Sequence, residues 1–559
     1  MQNFIKSFYN RLTDEEFIQI GNQLLISFNT YGDRRALKVF TSWCYKAKKE
    51  ILEAIADDIL QLYFRHQSIE VIHCVASLCY IDPQKYNQVG IELLDKILFI
   101  CKNAPERIGY CLDSLPFVSK SAGHDHTLNF LVQTIDQFCS RENIVCLISK
   151  EYLLTLASIG PDVAQFEDKI GNFIMSLLSS EEIKFSSGEL TTIVSFIPYL
   201  TGVFPNFEGK YLKFFVGFAF DQLKKIEEFE ALNFAVDFYL KEALINLLAD
   251  FLNTFDENIE LFTHVYAYFL EKFKCEKFYI VVVAFAKLYE AIVESSFFGE
   301  QKKQESIHVF PQLVKYCYEF VLQYRKNGNE LDIGEYDKLI MLIKCLCKII
   351  QEIFVPQIVK DNFIDINYFD FETLPDFLPF YAQCCALYIT HVPQDDVVPQ
   401  LVMTLMCMTK GSNLDAIAIA IHGLSIFFSR GNVATGDVDA FVNILFELAK
   451  NKNIFNECVN DMLRVIMVTS QPRAFLESVI QIAGECNNFD LDAFLNFIDT
   501  IKQMEKNDEL CIRSLQLICG AIRNGALSNE ELDNLRKILF EWRPPPENLS
   551  VVYQVLNVF

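Results

Sequence analysis

The sequence predicts an all-α fold in which short helices stack side by side along the chain. Apolar residues recur every three or four positions, as on one face of a helix. Glycine (21 residues) and proline (16 residues) are scarce in a chain of 559 residues, which favours long helical runs with short connections. Helix pairs recur about every 40–47 residues, the period of HEAT and armadillo arrays. We therefore expect an α–α superhelix, a HEAT/armadillo-like solenoid of roughly a dozen helix pairs.

The stretch from Asp33 to Ile81 shows the pattern most clearly, as three amphipathic helices with almost no linker. The second of them is expected to run from Ile51 to about Phe64. None of the three apolar stripes is stable in water, so each helix needs a neighbour. The three stripes are Leu37, Phe40, Trp43 and Cys44; Leu52, Ile55, Ile59 and Tyr63; and Ile69, Ile72, Val75 and Leu78.

The same periodicity continues along the chain, so we expect residues 1–559 to form a single continuous solenoid. Gly32 marks the end of an early helix, because glycine readily adopts the left-handed conformation. The periodicity lapses three times, which predicts irregular breaks near residues 297–305, 325–334 and 357–373. It resumes at about Leu374 and continues as far as Pro544.

The chain carries a formal net charge of −24. This charge argues against nucleic acid, whose phosphates require a basic surface, and against an anionic membrane surface. It favours a basic protein partner through long-range attraction. The competing interpretation is that the charge keeps a chain with 51 phenylalanines soluble.

The 18 cysteines lie mostly in apolar helical stripes, where cysteine serves as a small hydrophobic residue. Residues 1–12 are polar and do not resemble a secretory leader. We therefore expect a reducing compartment, the cytoplasm and nucleus. The longest wholly apolar run, Phe278 to Ala286, is far shorter than the ~18 residues of a membrane span, so no membrane insertion is expected.

No pattern of catalytic or cofactor-binding residues stands out. The sequence has no phosphate-binding loop and no glycine-rich dinucleotide turn after a strand. His124 and His126 have a spacing that can bind metal, but no third or fourth ligand follows, which favours a solvated helix start. Paired cysteines that lack zinc-site spacing favour core packing; these are Cys345, Cys347, Cys384 and Cys385. We expect no enzyme activity, no cofactor and no metal.

The segment Asp361–Thr409 is the candidate protein-binding surface. It contains no lysine or arginine, and its first part interleaves acidic and aromatic residues. Such a segment offers carboxylates to a basic partner and aromatic anchors for burial. The competing interpretation is a linker whose aromatic rings only cover the solenoid core. The predicted binding residues are Asp365, Asp370, Glu372, Asp376, Asp395, Asp396, Phe369 and Phe371.

Arg35–Leu52, with Ser42 and Trp43 as a Ser-Trp pair, resembles a helix of the importin-β/exportin (karyopherin) superfamily. The part of the chain that comes next is also similar to the family, with a helix pair and then Val71–Ile81. The resemblance covers some 50 residues.

The resemblance implies a non-catalytic nuclear transport receptor that carries basic protein cargo and binds phenylalanine-glycine nucleoporins. Family members are longer, and their amino-terminal repeats bind Ran. If Trp43 aligns as suggested, most of that part is absent here, so we assign no residue to Ran. The alternative is a HEAT-repeat scaffold subunit of a multiprotein complex, such as a phosphatase regulatory, vesicle-coat or chromosome-organising protein. A Ran-binding amino-terminal extension would distinguish the two.

Overall fold

A computed structural model describes residues 14–448, together with Asp461 and Val465. Within this range the description omits 33, 46, 66–67, 181–184, 233–236, 255–257, 277, 300–308, 327–332, 365–368, 370–373 and 431–434. Every regular element among the described residues is helical, so the fold is an all-α helical solenoid. The chain divides into two compact units, Met1–Leu261 and Phe262–Phe559. The prediction of one continuous solenoid over 1–559 stays a prediction.

The first unit consists of α-helices connected by short turns and 3-10 helices. These are α1 (Asp14–Tyr31), α2 (Arg34–Cys44), α3 (Lys49–Ala54), α4 (Ala56–Arg65), α5 (Ile69–Ile81), α6 (Asn87–Asn103), α7 (Leu115–Ala122), α8 (His124–Phe138), α9 (Ile144–Leu147), α10 (Lys150–Ala157), α11 (Ala164–Ser179), α12 (Ser187–Val203), α13 (Phe207–Ala231) and α14 (Phe238–Thr254).

The second unit contains the remaining described helices, and the first of these begins just before its boundary. These are α15 (Ile259–Lys272), α16 (Tyr279–Glu294), α17 (Val309–Lys326), α18 (Ile333–Glu352), α19 (Pro356–Val359), α20 (Leu378–His391), α21 (Val398–Met408), α22 (Leu414–Ser429) and α23 (Thr435–Leu448). The helices predicted after Leu448 lie outside the described residues. Within the described part, no helix combines the length and the apolar character that a bilayer crossing needs.

Each unit is built around one row of helices. In the first unit α2, α5, α7, α10, α12 and α14 follow one another, each in contact with the next. In the second unit the row is α16, α18, α20 and α22. Intervening helices cover one side of each row; α6, for example, contacts both α5 and α7. This stacking gives each apolar stripe a neighbour, as the sequence predicted.

Within the stretch from Asp33 to Ile81, the structure confirms the first predicted stripe and corrects the prediction for the other two helices. Leu37 and Phe40 are fully buried on α2, as expected. The second predicted helix is two helices, α3 and α4, because the backbone at Ile55 (φ −111°, ψ 11°) leaves the helical conformation. Helix α5 is buried almost all the way round, from Val71 to Cys79, because it lies inside the row with neighbours on several sides.

The predicted breaks are only partly described. Residues 300–308 and 327–332 lie outside the described part of the chain. At the start of the break predicted at 357–373, α19 is followed by a π-helical turn, Lys360–Ile364. That turn buries Phe363, whose ring packs edge-on against Phe380 at 5.3 Å between centroids. Gly32 ends α1 with φ 65°, which confirms the predicted left-handed terminus.

Trp43 holds the amino-terminal helices together. Its ring stacks between Phe17, at 4.8 Å between centroids, and Phe40, at 5.4 Å. Its Nε1–H donates a hydrogen bond to the carbonyl oxygen of Phe17 at 2.8 Å. A Cβ atom at Gly21 would lie 2.4 Å from Trp43 Cζ2. Helix α1 can therefore approach the indole only because residue 21 has no side chain.

Gly21→Ala is expected to destabilise the protein by about 1–3 kcal/mol, because the locked indole gives the new methyl group no room. The matched control is Gly217→Ala, within α13, where an added Cβ meets no atom within 4 Å. There the usual helical preference for alanine should stabilise by roughly 0.5–1 kcal/mol. Urea unfolding followed by circular dichroism measures both. A stabilised Gly21→Ala variant would contradict the packing around Trp43.

Candidate functional site

A groove of about 660 Å³ lies on the helix row of the second unit. Helix α18 forms one wall, the first turns of α22 form the other, and the start of α20 lies between them. The volume is within the range of ligand-binding clefts in proteins. Three successive helices of the row therefore build this concavity.

The lining of the groove is largely apolar. Ile343 and Pro379 are buried, whereas Ile340, Ala418 and Ile419 are half-buried and offer apolar surface. Two larger side chains stand at the helix starts, Tyr336 (44% exposed) and Leu414 (47% exposed). An apolar centre with a polar rim is the usual anatomy of a protein-binding patch.

Polar side chains surround this apolar centre. Lys348 donates a hydrogen bond to Glu290 Oε1 at 2.6 Å, and this contact raises the pKa of the lysine. Asn413 Oδ1 accepts a hydrogen bond from the backbone N–H of Ala416 at 3.0 Å, which caps α22. Further polar residues that line the groove are Lys344, Gln351, Gln383, Ser412 and Asp415.

Cys347 is the thiol in the groove. Burial raises its pKa to about 12, with a smaller contribution from the negative charge of Asp415. The thiol is therefore protonated at neutral pH and is a poor nucleophile. Cys345, Cys384 and Cys385 are buried free thiols, as the packing interpretation predicted.

The acidic segment predicted from the sequence is divided by the structure. Asp365, Asp370, Glu372 and Phe371 lie outside the described residues, so their predicted role stays a prediction. Asp376 lines the groove. The remaining predicted residues are Phe369, Asp395 and Asp396.

Phe369 is not the exposed aromatic anchor that the sequence predicted. Its side chain is 6% exposed, and its ring packs against Tyr318 at 5.2 Å and Phe380 at 6.0 Å between centroids. Phe363 and Phe377, which interleave with the same acids, are also buried. The aromatic residues of this segment that the structure describes point inward and cover the core. The competing interpretation made from the sequence is correct for these rings.

Asp395 is a structural residue. Its carboxylate accepts hydrogen bonds from Lys360 Nζ at 2.9 and 3.0 Å, from Tyr388 Oη at 2.9 Å and from the backbone N–H of Val397 at 3.1 Å. These contacts, the lysine first, lower the pKa of Asp395 to about 2. Asp395 is thus bound within the chain, and its predicted role toward a partner stays a prediction. Lys360, one position before the segment without basic residues, supplies the positive charge. Asp396 is exposed.

The two nitrogens of His124 lie near two aspartates. His124 is 3.0 Å from Asp125 Oδ1 through Nδ1 and 2.9 Å from Asp162 Oδ2 through Nε2. The hydrogen bond to Asp125 is the main cause of its raised pKa. In the part of the chain that the structure describes, no three metal-binding side chains cluster.

The groove itself was not predicted from the sequence. Helical periodicity was expected on both sides of the break near 357–373, and α18 and α22 are present there. The missed signal is a large apolar residue at each helix start, outside the buried stripe. Only the packing of α18 and α22 on either side of α20 brings those two positions to one concavity.

The chain matches no protein-family model and no curated protein sequence. Two solved structures that it resembles are the crystal structure of SYS-1 and the crystal complex of SYS-1/POP-1. Each is 10% identical over 97% of this chain and 99% of that chain, with TM-scores of 0.27 and 0.29. TM-scores this low support no transfer of fold, partner or activity.

Asp395→Asn is expected to lower the thermal midpoint of the protein at neutral pH. Since the folded-state pKa of Asp395 is depressed to about 2, its contribution is complete above the unfolded-state pKa, near 4. The contribution is lost as the pH falls from about 4 to 2. The difference in midpoint between wild type and variant should therefore be constant from pH 7 to 5 and vanish near pH 2.

The neighbouring Asp396→Asn variant is the control for this prediction, because Asp396 is exposed. It should leave the midpoint unchanged at every pH. Equal midpoints for Asp395→Asn and wild type at pH 7 would show that the Lys360 contact contributes nothing to stability.

Proposed function

We propose that this chain is a non-catalytic helical scaffold that binds a protein partner, and that the groove formed by α18, α20 and α22 is its docking site. The observation that carries the proposal is the groove itself, whose lining is largely apolar and also includes polar side chains. Tyr336 and Leu414 stand at the ends of its walls, each about half exposed. Tyrosine is enriched among the residues that supply most of the binding energy of an interface, and a half-exposed leucine adds apolar surface that is buried on binding.

Two features favour binding over chemistry. The thiol in the groove is held protonated by burial, so Cys347 is unsuited to nucleophilic catalysis. Lys348, which could otherwise act as a free amine, is held by Glu290 and also lies 3.8 Å from Glu294. A groove with inert side chains and an apolar floor suits a polypeptide ligand.

The net charge of −24 supports a basic partner protein, because long-range attraction accelerates its encounter with the scaffold. We retain the predicted carboxylates as the proposed steering surface: Asp365, Asp370, Glu372, Asp376, Asp395 and Asp396. The buried Phe369 is removed from that surface. We propose that the apolar side chains of the groove, in place of Phe369, anchor the partner.

The finer proposal is a karyopherin-like transport receptor of the cytoplasm and nucleus, with basic cargo and phenylalanine-glycine nucleoporins as partners. It rests on the resemblance of Arg35–Leu52 alone, and Trp43 within that stretch is a buried packing residue. The alternative remains a scaffold subunit of a phosphatase, vesicle-coat or chromosome-organising complex. Localisation separates them: signal at the nuclear rim with shuttling supports the receptor, and fixed staining elsewhere supports the scaffold.

Leu414→Glu is expected to weaken capture of the partner by about 30-fold or more, as for an interface hot spot of 2 kcal/mol. The full chain is used as bait in cell extract, the partner is identified, and its affinity for the purified variants is measured. Leu154→Glu is the matched control, because Leu154 is similarly exposed (49%) but lies in the first unit.

Both variants should keep the wild-type circular dichroism spectrum, since each side chain is about half exposed. Wild-type affinity in Leu414→Glu, or an equal loss in both variants, would remove the groove as the docking site.

Replacement of Asp365, Asp370, Glu372 and Asp376 by Asn or Gln is expected to slow association with that partner and to flatten its salt dependence. Exposed single ion pairs contribute only about 0–1 kcal/mol, so the effect should fall on the association rate more than on the dissociation rate. Binding kinetics at two salt concentrations measure it. Unchanged rates would show that the segment is a linker.

A further inference from the structure

Gln383 is a buried residue of α20, between the two walls of the groove. The residue is 8% exposed and lines the concavity. Its side chain makes no hydrogen bond to any residue that the structure describes. Buried polar side chains in folded proteins nearly always have a hydrogen-bond partner. The amide atoms of Gln383 are not among the enclosed side-chain atoms that lack a partner, so they are open to the groove and can hydrogen-bond a ligand there.

The chemistry of the amide indicates what that ligand offers. A glutamine side chain presents a carbonyl acceptor and an NH₂ donor side by side. A peptide group in an extended chain presents the complementary N–H and C=O, which are not used within the segment itself. Gln383 is therefore suited to bind the backbone of one residue in an extended polypeptide. This contact does not depend on the side chain of the bound residue.

The two walls of the groove carry opposite charges. Helix α18 contributes Lys344, and the first turn of α22 contributes Asp415. Both side chains are exposed, and neither forms an ion pair with another described residue. Lys348 differs from Lys344 because Glu290 already neutralises it. The groove thus has an exposed positive charge at Lys344 on one wall and an exposed negative charge at Asp415 on the other, with the half-buried Asp376 between them in sequence.

We infer that the groove binds an extended segment of a partner protein in which an apolar residue is flanked by one acidic and one basic residue. The acidic residue pairs with Lys344 and the basic residue with Asp415. The apolar side chain lies on Ile340, Ala418 and their neighbours, and Gln383 holds the backbone. This inference rests on the proposed function and adds the chemistry of the bound segment.

A uniformly basic segment is the alternative suggested by the net charge of −24. Such a segment would place a like charge against Lys344, which is unfavourable at close range. The overall charge therefore accelerates encounter with a basic protein, while the groove selects a segment of mixed charge within it.

The test uses five fluorescent 11-residue peptides that share a central leucine in a serine-glycine background. The residues two positions before and after the leucine are Glu and Lys, Lys and Glu, Lys and Lys, Glu and Glu, or Ser and Ser. Fluorescence anisotropy with the full chain is expected to show one of the two mixed-charge peptides binding on the order of five- to tenfold more tightly than the same-charge peptides.

The paired variant Lys344→Glu with Asp415→Lys is expected to prefer the mixed-charge peptide of opposite order. The matched control is Lys315→Glu with Glu319→Lys, which reverses two exposed charges outside the groove lining and should keep the wild-type preference. Gln383→Met retains the length of the side chain without its hydrogen bonds. It should weaken all five peptides by about 2- to 10-fold with no change in their order.

Three results would overturn the inference: no binding of any peptide up to millimolar concentration, binding of the Lys–Lys peptide as tight as that of the better mixed peptide, or an unchanged order preference in the paired groove variant. These results leave the proposed function standing if Leu414→Glu still loses the captured partner. The proposed function fails separately if Leu414→Glu retains that partner.

Discussion

Helices of this chain depend on each other because their apolar surface extends beyond a single stripe. In α16 every residue from Val281 to Ala286 is buried, and α5 is buried from Val71 to Cys79. A helix of this kind cannot be covered from one side, so it must lie inside a row with neighbours around it. This requirement explains why alternate helices form the row and the intervening helices cover it. It also explains why the exposed end of a row helix, such as the start of α18 or α22, is where apolar side chains become available to a partner.

The groove follows from a local departure from even stacking. Helix α20 lines the groove with Pro379 and Gln383, while α18 extends over twenty residues. Proline in a first turn preserves the helix because that N–H needs no helical partner. The same arrangement leaves Gln383 buried but open to a ligand, and it separates Lys344 from Asp415.

Much of the fold was predictable from periodicity, because a stripe of apolar residues at helical spacing has one stable outcome. The burial of Trp43, the end of α1 at Gly32 and the packing role of Cys384 and Cys385 followed from local pattern alone. The break at Ile55 did not, since Ile55 fits the helical stripe and only tertiary packing ends the helix there.

The candidate site was harder to predict, because charge and aromatic content along the chain do not report which side of the backbone faces water. Phe369 and Asp395 are both in the acidic segment, yet one is in the core and the other is bound by Lys360, just outside the segment boundary. A groove assembled from α18, α20 and α22 joins residues that are about 80 positions apart. No local pattern could have joined them.

The central claim is that a partner protein occupies this groove, and site-specific photo-crosslinking tests it most directly. Benzoylphenylalanine replaces Leu414, at the rim of the groove, or Leu154, equally exposed in the first unit, and the full chain is irradiated in cell extract. If the partner occupies the groove, we expect one dominant covalent adduct from position 414 that is absent at position 154. The crosslink should lie in an extended segment of the partner. The same adduct from both positions, or from position 154 alone, would contradict it.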